Sequence, residues 1–211
     1  MSRPPRAEPS DSSSVWWPAV VAVSDDGLDE VVLQHVAPDL ALPAPRAPSE
    51  KGRAVEHDAE ARAAVPGRAH RVVAAEISGM KVAGVYFASQ KEKASLFDFI
   101  LSKPPALSSE TLIIGDFNTG LHRLDEAGAT FVCTDRFERL PEIGLSDLWR
   151  RSHGPNAREY TWTSPQSGHF RLDHAFASPG VTARVRSCVY DHATQPALTD
   201  HSAMIVELDW E

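Results

Sequence analysis

The chain has 211 residues, 42% of them hydrophobic and 24% charged, enough for one globular domain with a sizeable core and not the composition of a chain disordered throughout. A formal net charge of −8 excludes binding to nucleic acid through bulk electrostatics, so any phosphate site must be a local patch or use a cation. Cys133 and Cys188 are too few for a disulfide framework or a zinc cluster, and no apolar run reaches membrane-spanning length.

Residues 1–14 are rich in Pro, Ser and charge and read as a flexible lead-in without the apolar core of a signal peptide, so a soluble cytoplasmic protein is expected. A single domain is expected over 15–211. Val15 to Val23 and Val31 to Val36 read as strands around the turn signal Asp25-Asp26-Gly27, a hairpin. Residues 37–68 are loop-rich, with a charged, Ala-rich stretch from Glu50 to Ala64 as a possible exposed helix. Arg71 to Ile77 and Lys81 to Phe87 form the next hairpin, and Lys91 to Leu101 has the apolar spacing of an amphipathic helix stopped by Pro104-Pro105.

Thr111-Leu112-Ile113-Ile114-Gly115-Asp116-Phe117-Asn118 is the stretch that carries chemistry. Four apolar or β-branched residues predict a short buried strand, which Gly115 ends at a tight turn. Alternation puts Asp116 and Asn118 on one side and Phe117 in the core. An acid and a carboxamide fixed there suit a phosphate and its cation, while an Asp/Asn turn bonding local backbone explains the same residues. Beyond it, Phe131 to Leu140 and Ile143 to Arg151 read as short helices. Tyr160 to Thr163, Phe170 to Phe176, Val181 to Tyr190 and Ser202 to Leu208 read as strands. Strands outnumber helices, which predicts packed sheets flanked by helices. Within Phe170-Arg171-Leu172-Asp173-His174, alternation turns Arg171 and Asp173 to the same side. Asp200-His201 places an imidazole beside a carboxylate at the mouth of the last strand.

In order and spacing, Gly115-Asp116-Phe117-Asn118, Arg171-Leu172-Asp173 and Thr199-Asp200-His201 resemble the endonuclease/exonuclease/phosphatase superfamily of metal-dependent phosphodiesterases. Val85-Tyr86-Phe87, Leu145 to Arg150, Tyr160-Thr161-Trp162 and Gly168 to Asp173 are similar to its exonuclease III and apurinic endonuclease branch, over roughly 70–208. The resemblance implies an α+β fold, a two-layer β-sandwich flanked by helices, DNase I-like. It implies a Mg2+-dependent hydrolase (Mn2+ also serving) that cleaves DNA, abasic or nicked, in DNA repair, and a monomer is expected. Alternatives are a phosphodiesterase or phosphatase for a small or lipid phosphate, and a non-catalytic domain that binds nucleic acid or a partner.

The resemblance also assigns roles. Asp116 handles the proton of the attacking water or helps hold the cation, with Asp200 as the second metal-side carboxylate. Asn118 bonds the scissile phosphate or orients the water. His201 contacts the phosphate or transfers a proton, with Asp173 fixing its tautomer, and Tyr86 reaches the phosphate or leaving group. Trp162, Phe170 and Leu172 match the apolar pocket for a base-free sugar, with Arg171 on the same substrate-binding segment.

The match departs from the family at its beginning. The strand with an Asn and the strand ending in a metal-binding Glu are not found; Val31-Val32-Leu33-Gln34-His35 offers His where Glu belongs. The expectation is an N-terminally truncated domain, short of roughly 50 residues by the span of two strands and a helix, with bared sheet edges. Glu76, then Glu30 and Glu56, are the candidate replacement ligands. Thr163 stands where an aromatic is common, which weakens the abasic-site assignment.

Overall fold

The computed structural model describes residues 18–25, 27–34, 72–77, 79–102, 110–195 and 199–209. The lead-in over 1–14, the 37–68 stretch, its possible helix and Glu56 lie outside the described residues, as do the side chains of Glu30 and Glu76.

The fold is α+β. One sheet contains β1 (Pro18–Asp25), β2 (Gly27–Gln34), β10 (Val185–Asp191) and β11 (Ala203–Asp209) in the order β10-β11-β1-β2. The other contains β3 (Val72–Ile77), β4 (Met80–Tyr86), β5 (Thr111–Asp116), β6 (Ser146–Asp147) and β9 (Asp173–Ala177) in the order β3-β4-β5-β9-β6. The expected hairpin is present as β1 and β2, and β1 lies parallel to β11. β11 is therefore paired on both sides.

β5 sits at the centre of its sheet because it is apolar on both faces, as a strand covered twice must be. Leu112 and Ile114 face the inter-sheet core with Val82, Ala175 and Ala177, against Met204, Val206 and Leu208 of the opposite sheet. Ile113 turns the other way, joining Val85 and Phe176 beneath α1 (Ala94–Leu101) and α2 (Thr134–Phe137). Phe87 and Phe117 stack there with centroids 4.7 Å apart, and Phe97 of α1 meets Phe87 edge-on at 4.6 Å. β11 alternates buried Met204, Val206 and Leu208 with exposed Glu207 and Asp209, the pattern of a strand covered on one face.

Several elements are shorter than their apolar patterns. Of Phe131 to Leu140 only α2 is α-helical, because Cys133 precedes it in the left-handed region at φ +68°. Ile143 to Arg151 divides into the end of a 3-10 turn, β6 and α3 (Leu148–His153), with the Asp147 side chain accepting from Arg150 N. Phe170 to Phe176 breaks into β8 (His169–Phe170), paired with β7 (Trp162–Thr163), and β9. Val181 begins not a strand but the body of α4 (Pro179–Ala183), where Pro179 opens a helix before β10. Among the described residues no helix is long and apolar enough to cross a membrane.

Gly115 does not end β5 but lies inside it. Its φ is +140°, and a Cβ there would sit 2.1 Å from the carbonyl oxygen of Val85 on the neighbouring strand. Gly115→Ala therefore combines backbone strain with a backbone clash and should destabilise the fold by more than about 3 kcal/mol in urea unfolding. His174, wholly buried on β9, donates from Nε2 to Thr119 O at 2.8 Å, while its Nδ1 has no hydrogen-bond partner among the described residues. Burial, then the Arg171 charge, lowers its pKa to about 4 from 6.5. Below pH 6.5 the unfolded chain gains a proton that the folded one refuses. Stability is thus full above 6.5 and falls by up to about 3 kcal/mol as pH drops toward 4. His174→Gln should flatten that part of the profile in denaturant unfolding at pH 4 to 7.

Candidate active site

The site forms where strand ends of the two sheets meet. Asp116 ends β5 and Asp173 begins β9, directly opposite in the antiparallel register. Each continues the inter-sheet face of its strand: Asp116 follows Leu112 and Ile114, and Asp173 precedes Ala175 and Ala177. Tyr86 pairs with Asp116 from β4, so three neighbouring strands present Tyr86, Asp116 and Asp173 as one row. From the opposite sheet, His201 comes in just before β11, and its Nδ1 lies 2.8 Å from Asp173 Oδ2. Asp116, Asp173 and His201 are all buried.

Asn118 packs against Asp116, as both sequence readings allowed. It sits in the left-handed region at φ +50°, which Asn tolerates. Its backbone N–H donates to Asp116 Oδ1 at 2.6 Å and its Nδ2 donates to Asp116 Oδ2 at 2.7 Å and to Phe87 O at 2.8 Å. Burial, then the Asp173 carboxylate, pushes Asp116 well above the usual carboxylate range, and His201, the Asn118 N–H and Lys93 offset only part of this. For His201 burial works toward a lower pKa, but the Asp173 charge and hydrogen bond, with Asp116 and Asp200 behind them, raise it above 6.5.

Lys93 was not singled out by its sequence context. It is buried, and its ammonium donates to the carbonyl of Asn118. Burial lowers its pKa despite the nearby Asp116. The available signal was helical spacing, since Lys93 stands four residues before the buried Phe97. Thr161 and Tyr190 were also missed. The Thr161 hydroxyl accepts from Leu172 N at 3.0 Å and Asp173 N at 3.3 Å, and Tyr190 donates to Asp173 O at 2.6 Å.

Trp162 and Phe170 are half-buried with ring centroids 5.7 Å apart, and the Trp162 ring lies 6.1 Å from that of His201. Asp200 is exposed and accepts from Trp162 Nε1 at 2.8 Å. Leu172 is buried beside them in sequence. Arg171 corrects the expectation of a substrate contact. It is wholly buried, its Nε bound to Asp125 Oδ1 and its Nη2 to Asp147 Oδ2, each at 2.6 Å, with the guanidinium 4.8 Å from the Trp149 ring centroid. Arg150 also pairs with Asp125. Two arginines and two aspartates thus pin the segment entering β9, which positions Asp173 rather than substrate.

A hard divalent cation takes several oxygen ligands. Asp116 and Asp200 both act on His201 electrostatically, and the excess negative charge at Asp116 suits a cation. Among the described residues, however, no three His, Cys, Asp or Glu side chains are arranged to hold a metal. The carboxylates of Asp116 and Asp200 are hard oxygen donors of the type Mg2+ or Mn2+ takes, short of a full set among the described residues.

The Asp173–His201 bond has a direct readout. In metal-free protein the His201 ring should titrate above pH 6.5 by NMR. Asp173→Asn, which removes its chief stabilising charge, should move that titration down. The stability from this pair is present below 6.5 and is lost as pH rises through the raised folded value. A His201 titration indifferent to Asp173→Asn would refute the pairing.

The Endonuclease/Exonuclease/phosphatase family model matches residues 20–201. The fold is similar to that of a 3′–5′ exonuclease (NExo) from Neisseria meningitidis, with 24% identity over 66% of this chain and 65% of that one, at a TM-score of 0.58. It is similar to a 3′ phosphatase NExo from Neisseria bound to product DNA hairpin, with 24% identity over 75% and 73% of the two chains and a TM-score of 0.62. An AP endonuclease from Archaeoglobus fulgidus matches with 19% identity over 92% of this chain and 80% of that one, at a TM-score of 0.58. The chain spans 65% of the length of the first of these. With the family model covering most of its length, the chain belongs to the endonuclease/exonuclease/phosphatase family.

Proposed function

We propose that the protein is a divalent-metal-dependent phosphodiester hydrolase acting on DNA, of the apurinic endonuclease and exonuclease III type. The observation that carries this reading is the convergence of Asp116 and Asn118 with the Asp173–His201 pair where the two sheets meet.

Asp116 takes the proton of the attacking water, a task for which a buried carboxylate with raised proton affinity is suited. Asn118, clipped to that carboxylate, orients the water or the phosphate. Asp173 holds His201 through Nδ1 and so orients the ring toward the phosphate, and the raised pKa favours positive charge on the ring where oxyanion charge develops. Tyr86, in register with Asp116, brings a hydroxyl to the phosphate or the leaving group. Trp162, Phe170 and Leu172 shape an apolar pocket for an abasic sugar. Asp116 and Asp200 would hold Mg2+ or Mn2+, which when bound supplies charge neutralisation at the phosphate.

The net charge of −8 and Thr163 favour a second reading within the same family, hydrolysis of a smaller or lipid phosphate. Duplex DNA carrying one tetrahydrofuran abasic site, with and without Mg2+, separates the readings. Metal-dependent incision is expected, falling about 10²–10⁴-fold in His201→Ala. Equal rates in wild type and variant would refute the mechanism, and faster turnover of small phosphodiesters would select the second reading.

A further inference from the structure

Lysine is ordinarily a surface residue whose ammonium stays in water at the end of a flexible stem. Lys93 is only 2% exposed. It ends the 3-10 turn Gln90–Lys93 and α1 follows directly, with Phe97 packed one helical turn later against Phe87. Phe87 in turn stacks on Phe117, the neighbour of Asn118. Among the described residues the ammonium makes one hydrogen bond, to the backbone carbonyl of Asn118, 25 residues away in the chain. Burial works against the charged ammonium, and Asp116 is the largest influence in its favour. A buried group with three N–H donors and one neutral acceptor is costly. Methionine would fill much the same volume without that cost, so packing alone does not explain a lysine here.

The acceptor explains it. Asn118 sits in the left-handed region at φ +50°, a conformation that costs free energy in any residue but glycine. In that conformation its N–H and its Nδ2 close on the two carboxylate oxygens of Asp116, at 2.6 and 2.7 Å, and Nδ2 also reaches Phe87 O at 2.8 Å. All three of its N–H donors are thereby used, and its backbone carbonyl is taken by Lys93. A backbone rotation out of the left-handed region moves the carbonyl, the side chain and the clip on Asp116 together.

We propose that Lys93 is a positioning residue of the active site: through the Asn118 carbonyl, its ammonium holds Asn118 in the left-handed conformation that sets Asp116 for the attacking water. This rests on the phosphodiesterase reading above and adds a residue to its machinery. Lys93 acts from inside the protein and through Asn118, so its loss slows the chemical step and leaves DNA affinity as it was. Small displacements of a group that orients the reacting atoms are enough to cost a large part of the rate.

The test compares wild type, Lys93→Met, Asn118→Ala and the double variant. Single-turnover cleavage of the tetrahydrofuran duplex in Mg2+ gives the chemical step, and binding of the same duplex in Ca2+ gives Kd. Lys93→Met should cleave about 10–100-fold more slowly with Kd within about twofold of wild type. Because Lys93 works through Asn118, the double variant should be no slower than Asn118→Ala. Removing a buried charge should leave Tm unchanged or higher, whereas a lysine of purely structural value would lower it. Amide hydrogen exchange at Asn118 N–H, read by NMR, should accelerate at least about tenfold in Lys93→Met. Lys93→Gln keeps an N–H donor one atom short of the original; it should fall between wild type and Lys93→Met, and it carries the test if Lys93→Met does not fold. A Lys93→Met rate within about twofold of wild type, a loss confined to Kd, or losses that multiply with those of Asn118→Ala would overturn the proposal. Accelerated exchange in a protein whose wild type cleaves no phosphodiester would refute the phosphodiesterase reading alone. Cleavage by wild type with rate and exchange both indifferent to Lys93→Met would refute the role of Lys93 alone.

Discussion

Asp116 and Asp173 are buried carboxylates on adjacent strands, directly opposite each other in the register. Opposed residues of an antiparallel pair have Cβ atoms about 5 Å apart. Two full charges at that distance repel by about 3 kcal/mol even at an effective dielectric near 20. Neither carboxylate can leave the pair, because each is fixed by the alternation of a strand whose other residues fill the inter-sheet core. The surroundings are organised to offset this charge. His201 approaches Asp173, the Asn118 amide groups cover Asp116, and Lys93 is buried nearby. Burial, and then the part of the Asp173 charge left uncompensated, raises the proton affinity of Asp116.

The same arrangement makes the site a property of the whole sandwich. Asp173 belongs to one sheet and His201 leads into β11 of the other, so their bond ties the two together. Tyr190 of β10 repeats the junction by donating to the Asp173 carbonyl. Thr161 receives the N–H groups of Leu172 and Asp173, and its own carbonyl accepts Ser202 N, adjacent to His201. Behind them the Arg171, Asp125, Arg150 and Asp147 network holds the segment that enters β9. A loosened sheet interface would separate the imidazole from its carboxylate before it unfolded the core.

Much of this was legible in the sequence, and the reasons differ by residue. Alternation along Leu112, Ile114 and Asp116 correctly sends Asp116 to the inter-sheet side and Phe117 into the other core, because strand geometry is local. The pairing of Asp173 with His201 followed only from the family resemblance, since nothing local links residues on different sheets. Arg171 was misplaced because alternation gives a side but not a partner, and Asp125 and Asp147 are distant in sequence. Lys93 was passed over because a lysine near a helix start ordinarily reaches solvent; only tertiary packing buries it. Gly115 looked like a stop and proved to be a point of close strand approach, a distinction that depends on Val85 across the sheet. β9 begins later than its apolar run because Arg171 and Leu172 are bound by Asp125 and Thr161 instead of a neighbouring strand.

The central claim is that Asp173 acts on the reaction through His201, as one unit assembled from two sheets. Single-turnover phosphodiester cleavage by Asp173→Asn, His201→Ala and the double variant measures this directly. Members of a unit do not contribute independently, so the double variant should be no slower than the slower single variant. Losses that multiply would show two separate contributions and contradict the account.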